Sequence, residues 1–423
     1  MKLPPIRFWI GVMVFMTTFT NYMMRSNISV SIISMVKHNK NTTFTPPCLR
    51  EISGNDTVEL KTAENDSDSV RYAWSETEQG YILAAYFWGY MTTCFPGGIV
   101  SEMLGPWNVI LWTSILSAAL TGLTPLAAQG GVAGVVACRF FIGLLGGFIY
   151  PALNVLIARW APPKEKGKFL AALMGNTLGT VCTWPLVGVV TDLLSWEWGF
   201  YVLVIIMSVY CLVFFILVSD SPQKHRWITE EEQRYITECQ EGQVSTTKAV
   251  PPYLKISMSL PFWALIVAQF GNLWGLNLIL TYAPKFMAET LGFNLKKSSA
   301  IASLPYLARL FSSQIFGIAG DHMRKKGNMS VTRIRKIFVI FSHLIPAASL
   351  FLIRAAGCNH IGVIVLLVLN QAFNGAVVVG HLINSQDLSP NFAGTLYGIM
   401  NFVAGTSGFI VPPITGALTD YYV

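Results

Sequence analysis

The sequence predicts an all-α fold, that of a polytopic membrane protein. Three observations carry this expectation. Of 423 residues, 53% are hydrophobic and only 12% are charged, whereas a soluble domain has about 25% charged residues. Mean hydropathy is +0.51. Apolar blocks of about 20 residues recur along the chain, the length needed to cross roughly 30 Å of hydrocarbon.

The blocks lie near 8–36, 78–100, 106–128, 131–159, 167–191, 197–219, 258–288, 298–320, 333–354, 359–385 and 393–418, which makes eleven spans. The first follows Lys2 and Arg7. It is too long for a signal-peptide core and lacks a small-residue cleavage site, so it reads as a retained span. No repeat with a period of 20–50 residues is visible.

Charge in the loops orients the bundle. Alternate loops carry Arg159, Lys164, Lys166 and Lys168, then Lys224 and Arg226, then Arg324, Lys325, Lys326, Arg333, Arg335 and Lys336. Basic residues in short loops mark the cytoplasmic side. They account for the net charge of +7 without invoking nucleic acid. The N-terminus is then cytoplasmic and the loop 37–76 faces outward. That loop holds three Asn-x-Ser/Thr sequons, at Asn41, Asn55 and Asn65, as an exoplasmic surface loop does. Asn27 and Asn328 also sit in sequons, one inside a span and one on the cytoplasmic side.

The seven cysteines show no CxxC or CxxH spacing, so neither a metal site nor a redox pair is indicated. Cys94, Cys138, Cys182 and Cys211 read as packing residues. Cys48 and Cys358 fall in loops assigned outward, which leaves a disulfide between them open. No HExxH, no GxSxG and no carboxylate cluster occurs, which argues against a membrane enzyme.

The organisation is six spans in 1–219, a polar linker at 220–257, and further spans in 258–423. The linker holds Glu230, Glu231 and Glu232, ends in Pro251 and Pro252, and has room for a short amphipathic helix near 229–240.

Charged side chains in a span cost at least about 2.5–3.5 kcal/mol and usually face a cavity or pathway. Arg25 lies in the first span, where Thr18, Asn21, Tyr22, Arg25 and Ser29 share one arc of about 100° on an otherwise apolar helix. Arg139 lies at a similar depth in the fourth span, and Gly143, Gly146 and Tyr150 continue its stripe. Arg309 falls mid-way in the eighth. Each arginine has two readings: an internal ion pair or backbone cap, or a contact for an anionic solute. No acidic residue lies deep in a span to neutralise Arg25 or Arg139. A guanidinium grips carboxylate or phosphate in a bidentate fork. For Arg309 the two readings stand level.

Weaker positions are Gln269, Asn272 and Trp274 in the seventh span, His381, Asn384 and Asp387 in the tenth, and Asn401 in the eleventh. Asparagine in a span is more often interhelical glue than ligand. Asp387 reads as a cap or gate residue. His381 reads as a satisfied core residue, with proton coupling as its alternative.

Several stretches resemble the anion–cation symporters of the major facilitator superfamily, a group that includes sialin, vesicular glutamate transporters and sodium–phosphate cotransporters. They are RSNISVSIISMV at 25–36, QGYILAAYFWGYMTTCFPGG at 79–98, RFFIGLLGGFIYPA at 139–152, RWAPPKEKGK at 159–168, SPQKHRWITEEEQRYI at 221–236 and GHLINSQDLSPNFAGTLYGIMN at 380–401. The look is nearest to insect proteins named as inorganic phosphate cotransporters.

The resemblance implies two helical bundles rocking about a midplane site, with twelve spans where eleven are visible before Tyr422 and Val423. It implies a small anion, phosphate or an organic carboxylate, as the solute, with Arg25 and Arg139 at its site. Tyr22, Tyr150, Asn272, Trp274, Arg309 and Asn384 are the further candidates. No cofactor is implied, and Na+ or H+ is the candidate co-transported ion. A monomer in the plasma membrane or an endolysosomal or vesicular membrane is expected.

GIAGDHMRKK at 317–326 resembles the superfamily's cytoplasmic gate loop. There Asp321 would cap and pair at a helix end, and Arg324 would meet phosphate headgroups or the opposing half. The matching first-half loop, GGIVSEMLGPW at 97–107, keeps Glu102 without the usual basic residues.

Departures bear on mechanism. Proton-coupled members carry a glutamate in the fourth span, where this chain has Gly146. Vesicular glutamate transporters carry a histidine in the second span and an arginine in the seventh, where this chain has Leu83 and Asn272. Arg309 stands where they have an apolar residue. Glutamate is therefore disfavoured as the solute. A non-transporting receptor or scaffold on the same fold would keep the bundle but need no cations in a cavity.

Overall fold

The computed structural model describes residues 4–37, 48, 71–94, 96–162, 165, 169, 172–241, 253–382, 384–388 and 393–422. The regular structure among these residues is helical, with one isolated bridge between Val36 and Tyr72. The sequons at Asn41, Asn55 and Asn65 lie outside the described residues.

Seven helical stretches are long and apolar enough to cross a bilayer: Pro106–Gln129, Val132–Trp160, Trp198–Leu217, Leu260–Glu289, Val331–Ala356, His360–Val378 and Leu396–Tyr421. They coincide with seven of the expected spans, and the fold class is all-α as expected. The other expected spans contain helices too, but these are more polar. Helix α1 (Ile6–Ser26) shows why: Thr17, Thr18, Thr20 and Asn21 are buried on its inner face. The threonine hydroxyls bond back to the helix, as Thr17 does to the Met13 carbonyl at 2.7 Å, which makes them tolerable without water. Apolar side chains point out instead. Phe351 is 82% exposed and Ile318 is 72% exposed, the surface a bilayer would cover.

The chain forms two compact units that interleave along the sequence. The first comprises Met1–Arg25, Ala85–Thr180 and Phe200–Val250. The second comprises Ser26–Ala84, Val181–Gly199 and Pro251–Val423.

In chain order, α1 is followed by α2 (Ile28–Met35), α3 (Glu76–Cys94), α4 (Gly97–Leu104), α5 (Pro106–Gln129), α6 (Val132–Gly147), α7 (Ile149–Trp160), α8 (Gly175–Leu193) and α9 (Trp198–Leu217). The short helix expected near 229–240 is α10, Glu230–Glu241. Then come α11 (Tyr253–Ser257), α12 (Leu260–Glu289), α13 (Leu295–Lys326), α14 (Val331–Ala356), α15 (His360–Asn374), α16 (Asn384–Leu388), α17 (Ala393–Gly405) and α18 (Ser407–Tyr422).

Helix starts in both units are capped by carboxylates far away in sequence. A helix N-terminus offers unsatisfied N–H groups and a partial positive charge. In the first unit, the Glu232 carboxylate accepts from the N–H groups of Ile6 and Arg7, each at 3.0 Å. Asp220 accepts from Trp107 N–H at 3.0 Å, at the start of α5. The chain reaches that start through Gly105 at φ 87°, a left-handed conformation that favours glycine. In the second unit, Asp420 accepts from Glu76 N–H at 3.0 Å and Thr77 N–H at 2.8 Å, at the start of α3.

Lys285 completes this cluster. Its ammonium meets Glu76 and Gln79 on α3, and Glu289 lies one turn on at 3.7 Å. Gly80 and Gly416 let α3 and α18 cross closely: a Cβ at either would press on backbone of the other helix.

Cys48 and Cys358 are joined by a disulfide, with Cα atoms 5.0 Å apart and a sequence separation of 310. The pair left open by the sequence is thus bonded. Native disulfides are worth about 2–4 kcal/mol. Replacing both cysteines with serine, or reducing the intact chain, should lower the unfolding temperature in detergent. Equal melting curves with and without reductant would show that the bridge contributes nothing.

Candidate functional site

The first unit brings both transmembrane arginines of its spans together. Helix α1 stops at Ser26 and α2 starts at Ile28, so the first span is broken beside Arg25. A broken helix leaves carbonyls without their usual donors, and lipid offers none. Arg139 of α6 supplies them. Its Nη1 donates to the Met24 carbonyl at 3.1 Å and its Nη2 to the Arg25 carbonyl at 2.9 Å. The side chain is 3% exposed, and Nε has no hydrogen-bond partner. Arg139 therefore has the capping geometry that was one of its two sequence readings, and its charge sits against the negative end of α1.

Arg25 is held differently. Its guanidinium carbon lies 4.9 Å from the ring centre of Tyr22, 4.7 Å from Phe87 and 5.4 Å from Tyr86. Nη1 donates to the Tyr22 hydroxyl at 3.1 Å, and Nε has no partner. Among the described residues no carboxylate lies within 4.0 Å of either guanidinium. Aromatic faces attract a cation, each by about 0.5–2 kcal/mol depending on desolvation. That offsets part of the burial cost without cancelling the charge, as a carboxylate would. The positive field at Arg25 persists.

Tyrosine hydroxyls surround the same place. Tyr150 packs edge-on against Tyr22 at 6.5 Å and accepts from Asn176 Nδ2 at 3.0 Å, so its own proton remains to donate. Tyr86 stacks on Tyr90 at 6.2 Å, and Arg139 lies 5.3 Å from the Tyr86 ring centre. The Tyr86 hydroxyl is buried with no hydrogen-bond partner.

Glycine sets this arrangement. At Gly143 an added Cβ would run into the Tyr86 carbonyl, so α6 and α3 touch backbone to backbone there. At Gly146 an added Cβ would lie 2.6 Å from the Tyr86 hydroxyl oxygen. The phenol of Tyr86 thus fills the volume that a side chain at position 146 would occupy.

The remaining candidates lie in the second unit. Asn272 on α12 is 4% exposed, and its Nδ2 has no partner. Trp274 is half-buried and packs against Phe270 at 5.7 Å. Arg309 on α13 donates from Nε to Asn374 Oδ1 at 2.9 Å. Asn384 opens the short α16 and is half-buried.

Asp321 departs from its expected capping role. Helix α13 continues to Lys326 and ends at Gly327, so Asp321 lies inside the helix, not at its end. With Arg324 and Arg335 it lines a cavity of about 220 Å³. Arg335 takes the expected pairing instead, donating to Asp387 at 2.8 Å and to the Val379 carbonyl at 2.7 Å. Glu102 on α4 is exposed.

Tyr86, Phe87, Tyr90 and Asn176 were not singled out from sequence. Aromatic residues in an apolar span look lipid-facing, and only their shared arc with Gln79 could have suggested otherwise. Lys285, a charge near a span end, was also passed over.

With this geometry in view, comparison with known proteins is decisive. The pattern of the Major Facilitator Superfamily matches residues 14–412. The chain belongs to the major facilitator superfamily.

Superfamily relatives extend over nearly the whole chain. Human sialin is 34% identical over 98% of this chain and 83% of its own length. A Drosophila melanogaster protein, provisionally named for inorganic phosphate cotransport, is 32% identical over 97% of this chain and 78% of its own. Among solved structures, a bacterial homologue of the human lysosomal transporter Spinster matches with a TM-score of 0.72 at 13% identity, covering 99% of this chain and 83% of that one. The last match speaks for the superfamily fold alone. The chain is an integral multi-pass membrane protein of a transporter family, not an enzyme.

The crowding at Gly146 gives a test. Gly146→Ala should destabilise by about 1–3 kcal/mol, the usual cost of overpacking. Tyr86→Phe alone should be neutral, since its hydroxyl has no partner to lose. In the double variant most of the Gly146→Ala cost should vanish, giving a coupling in a thermal-unfolding double-mutant cycle. Additive losses would show that the two positions do not share space.

Proposed function

We propose that the chain carries a small anion, inorganic phosphate or an organic carboxylate, across a membrane by alternating access. The observation that carries this reading is Arg25: a cation in a span, caged by three aromatic rings, with no carboxylate partner among the described residues. An anion arriving there replaces the missing counter-charge. It can take two guanidinium donors in a fork and accept from the hydroxyls of Tyr86 and Tyr150.

Arg139 acts chiefly as the clamp that keeps the broken span and Arg25 in place, and it adds positive field. Neutralising the site lowers the cost of moving the charge past hydrocarbon, so the loaded carrier reorients more readily than an empty one. Binding of moderate strength suits this task, because the solute must also leave. The transporter relatives support the reading. In this scheme the N-terminus is cytoplasmic and the Cys48–Cys358 side faces outward, in a plasma, endolysosomal or vesicular membrane.

Arg25→Gln should reduce uptake of the transported anion into proteoliposomes at least tenfold while leaving the unfolding temperature within a few degrees of wild type. Arg25→Lys should retain a small part of the uptake, since a point charge survives but the planar fork does not. Undiminished uptake by Arg25→Gln would remove the site assignment. A panel of labelled phosphate, acidic sugars and other carboxylates, none of which moves through the wild-type chain, would favour the receptor reading.

A further inference from the structure

Among the described residues, no carboxylate lies at the site around Arg25 to carry a proton. A different cluster in the second unit has the attributes of a proton site. His343 on α14 and His381 face each other with ring centres 5.3 Å apart.

The hydrogen bonds around them fix their states. Gln269 Nε2 donates to Asn401 Oδ1 at 2.7 Å, which turns Gln269 Oε1 toward His381. His381 Nε2 lies 2.6 Å from that oxygen and must donate to it. His381 is 1% exposed, and its Nδ1 is buried with no hydrogen-bond partner. A neutral imidazole with one N–H has its bare lone pair there. This nitrogen is a buried base with nothing donating to it.

His343 has a backbone carbonyl at each ring nitrogen. Its Nε2 lies 2.8 Å from the Ala268 carbonyl. Its Nδ1 lies 3.0 Å from the Val339 carbonyl and 2.9 Å from the Ser342 hydroxyl. Two carbonyls, one at each ring nitrogen, suit an imidazolium, in which both nitrogens donate. The neutral ring is accommodated as well. Ser342 Oγ can donate to Nδ1 in that state and turn to the Val339 carbonyl, 3.1 Å away, once Nδ1 is protonated. One hydroxyl rotor serves both protonation states.

We propose that His343 and His381 form a one-proton site in the second unit, and that this proton is the coupling ion of the carrier. The proton adds to Nδ1 of His343, giving an imidazolium held between the Ala268 and Val339 carbonyls. Two imidazolium rings this close repel, so the pair holds one proton at a time.

The ion pairs and hydrogen-bonded charges seen on the packed elements lie elsewhere. On α12, Lys285 and Glu289 belong to the cluster with Glu76. On α13, Arg309 bonds Asn374. On α14, Arg335 pairs with Asp387 of α16. Neither 361–374 of α15 nor the described residues of α17 include an acidic or basic side chain. His343 and His381 thus answer mainly to each other.

This inference rests on the carrier reading for the word coupling, but the proton site can be tested without it. The full chain, labelled with 15N-histidine in phosphatidylcholine nanodiscs, should show one imidazole that changes charge between about pH 5 and 8, the range natural to histidine. His343→Gln should remove that resonance and His381→Asn should shift it. If His343→Gln does not fold, a chain with the other histidines replaced makes the assignment.

In proteoliposomes, acid outside should raise accumulation of the labelled inorganic phosphate or acidic sugar severalfold over liposomes without a gradient. His343→Gln should keep gradient-free exchange and lose that increment. A His343 that holds one charge state across this range, or a His343→Gln carrier still driven by the gradient, would overturn the proposal. If neither anion moves in any liposome, the carrier reading falls, and the titration alone upholds or overturns the proton site.

Discussion

Arg139 closes the break in the first span, and the rest of the candidate site depends on that contact. Hydrocarbon tolerates an interrupted helix only if each freed carbonyl finds a donor. A single guanidinium serves the carbonyls of Met24 and Arg25, and so fixes the backbone of the residue that presents the second guanidinium. Two like charges can be brought near one another here because neither relies on solvent. One is compensated by carbonyls and a helix end, the other by aromatic faces.

Much of this was legible in the residues themselves. Composition and block length were enough for the all-α membrane class. The polar stripe Thr18–Asn21–Tyr22–Arg25 marked the inner face of α1, and the structure buries Thr18 and Asn21 there. The partners of Arg139 were not legible, because they are backbone atoms, and every residue has a carbonyl. Nor was the cage around Arg25. Tyr86, Phe87 and Tyr90 lie in a span where aromatic residues are as common against lipid as against protein. Which way they point is decided by the backbone contact of α3 with α6 at Gly143, a tertiary fact. The capping role expected for Asp321 failed for a related reason: the stretch 317–326 resembles a gate loop, but α13 runs on through it to Lys326.

The two units handle charge at helix ends in the same way. Glu232, Asp220 and Asp420 each reach a helix start distant in sequence. Each carboxylate is therefore both a cap and a tie between parts of its own unit. Lys285 extends that logic, joining α12 to α3 through Glu76 and Gln79. Such ties are directional and few, so they can be exchanged for other partners at modest cost. Apolar packing of similar area could not be exchanged so readily.

The contact between Gly146 and the Tyr86 hydroxyl also has a historical meaning. The space holds either a phenol reaching in from α3 or a side chain on α6, but not both. A lineage passing from one arrangement to the other must lose the phenol hydroxyl first, since the reverse order passes through an overfilled site. Across a family alignment, positions 86 and 146 should therefore vary as a correlated pair. The identity of that pair would sort carriers by the chemistry beside Arg25 before any solute is assayed.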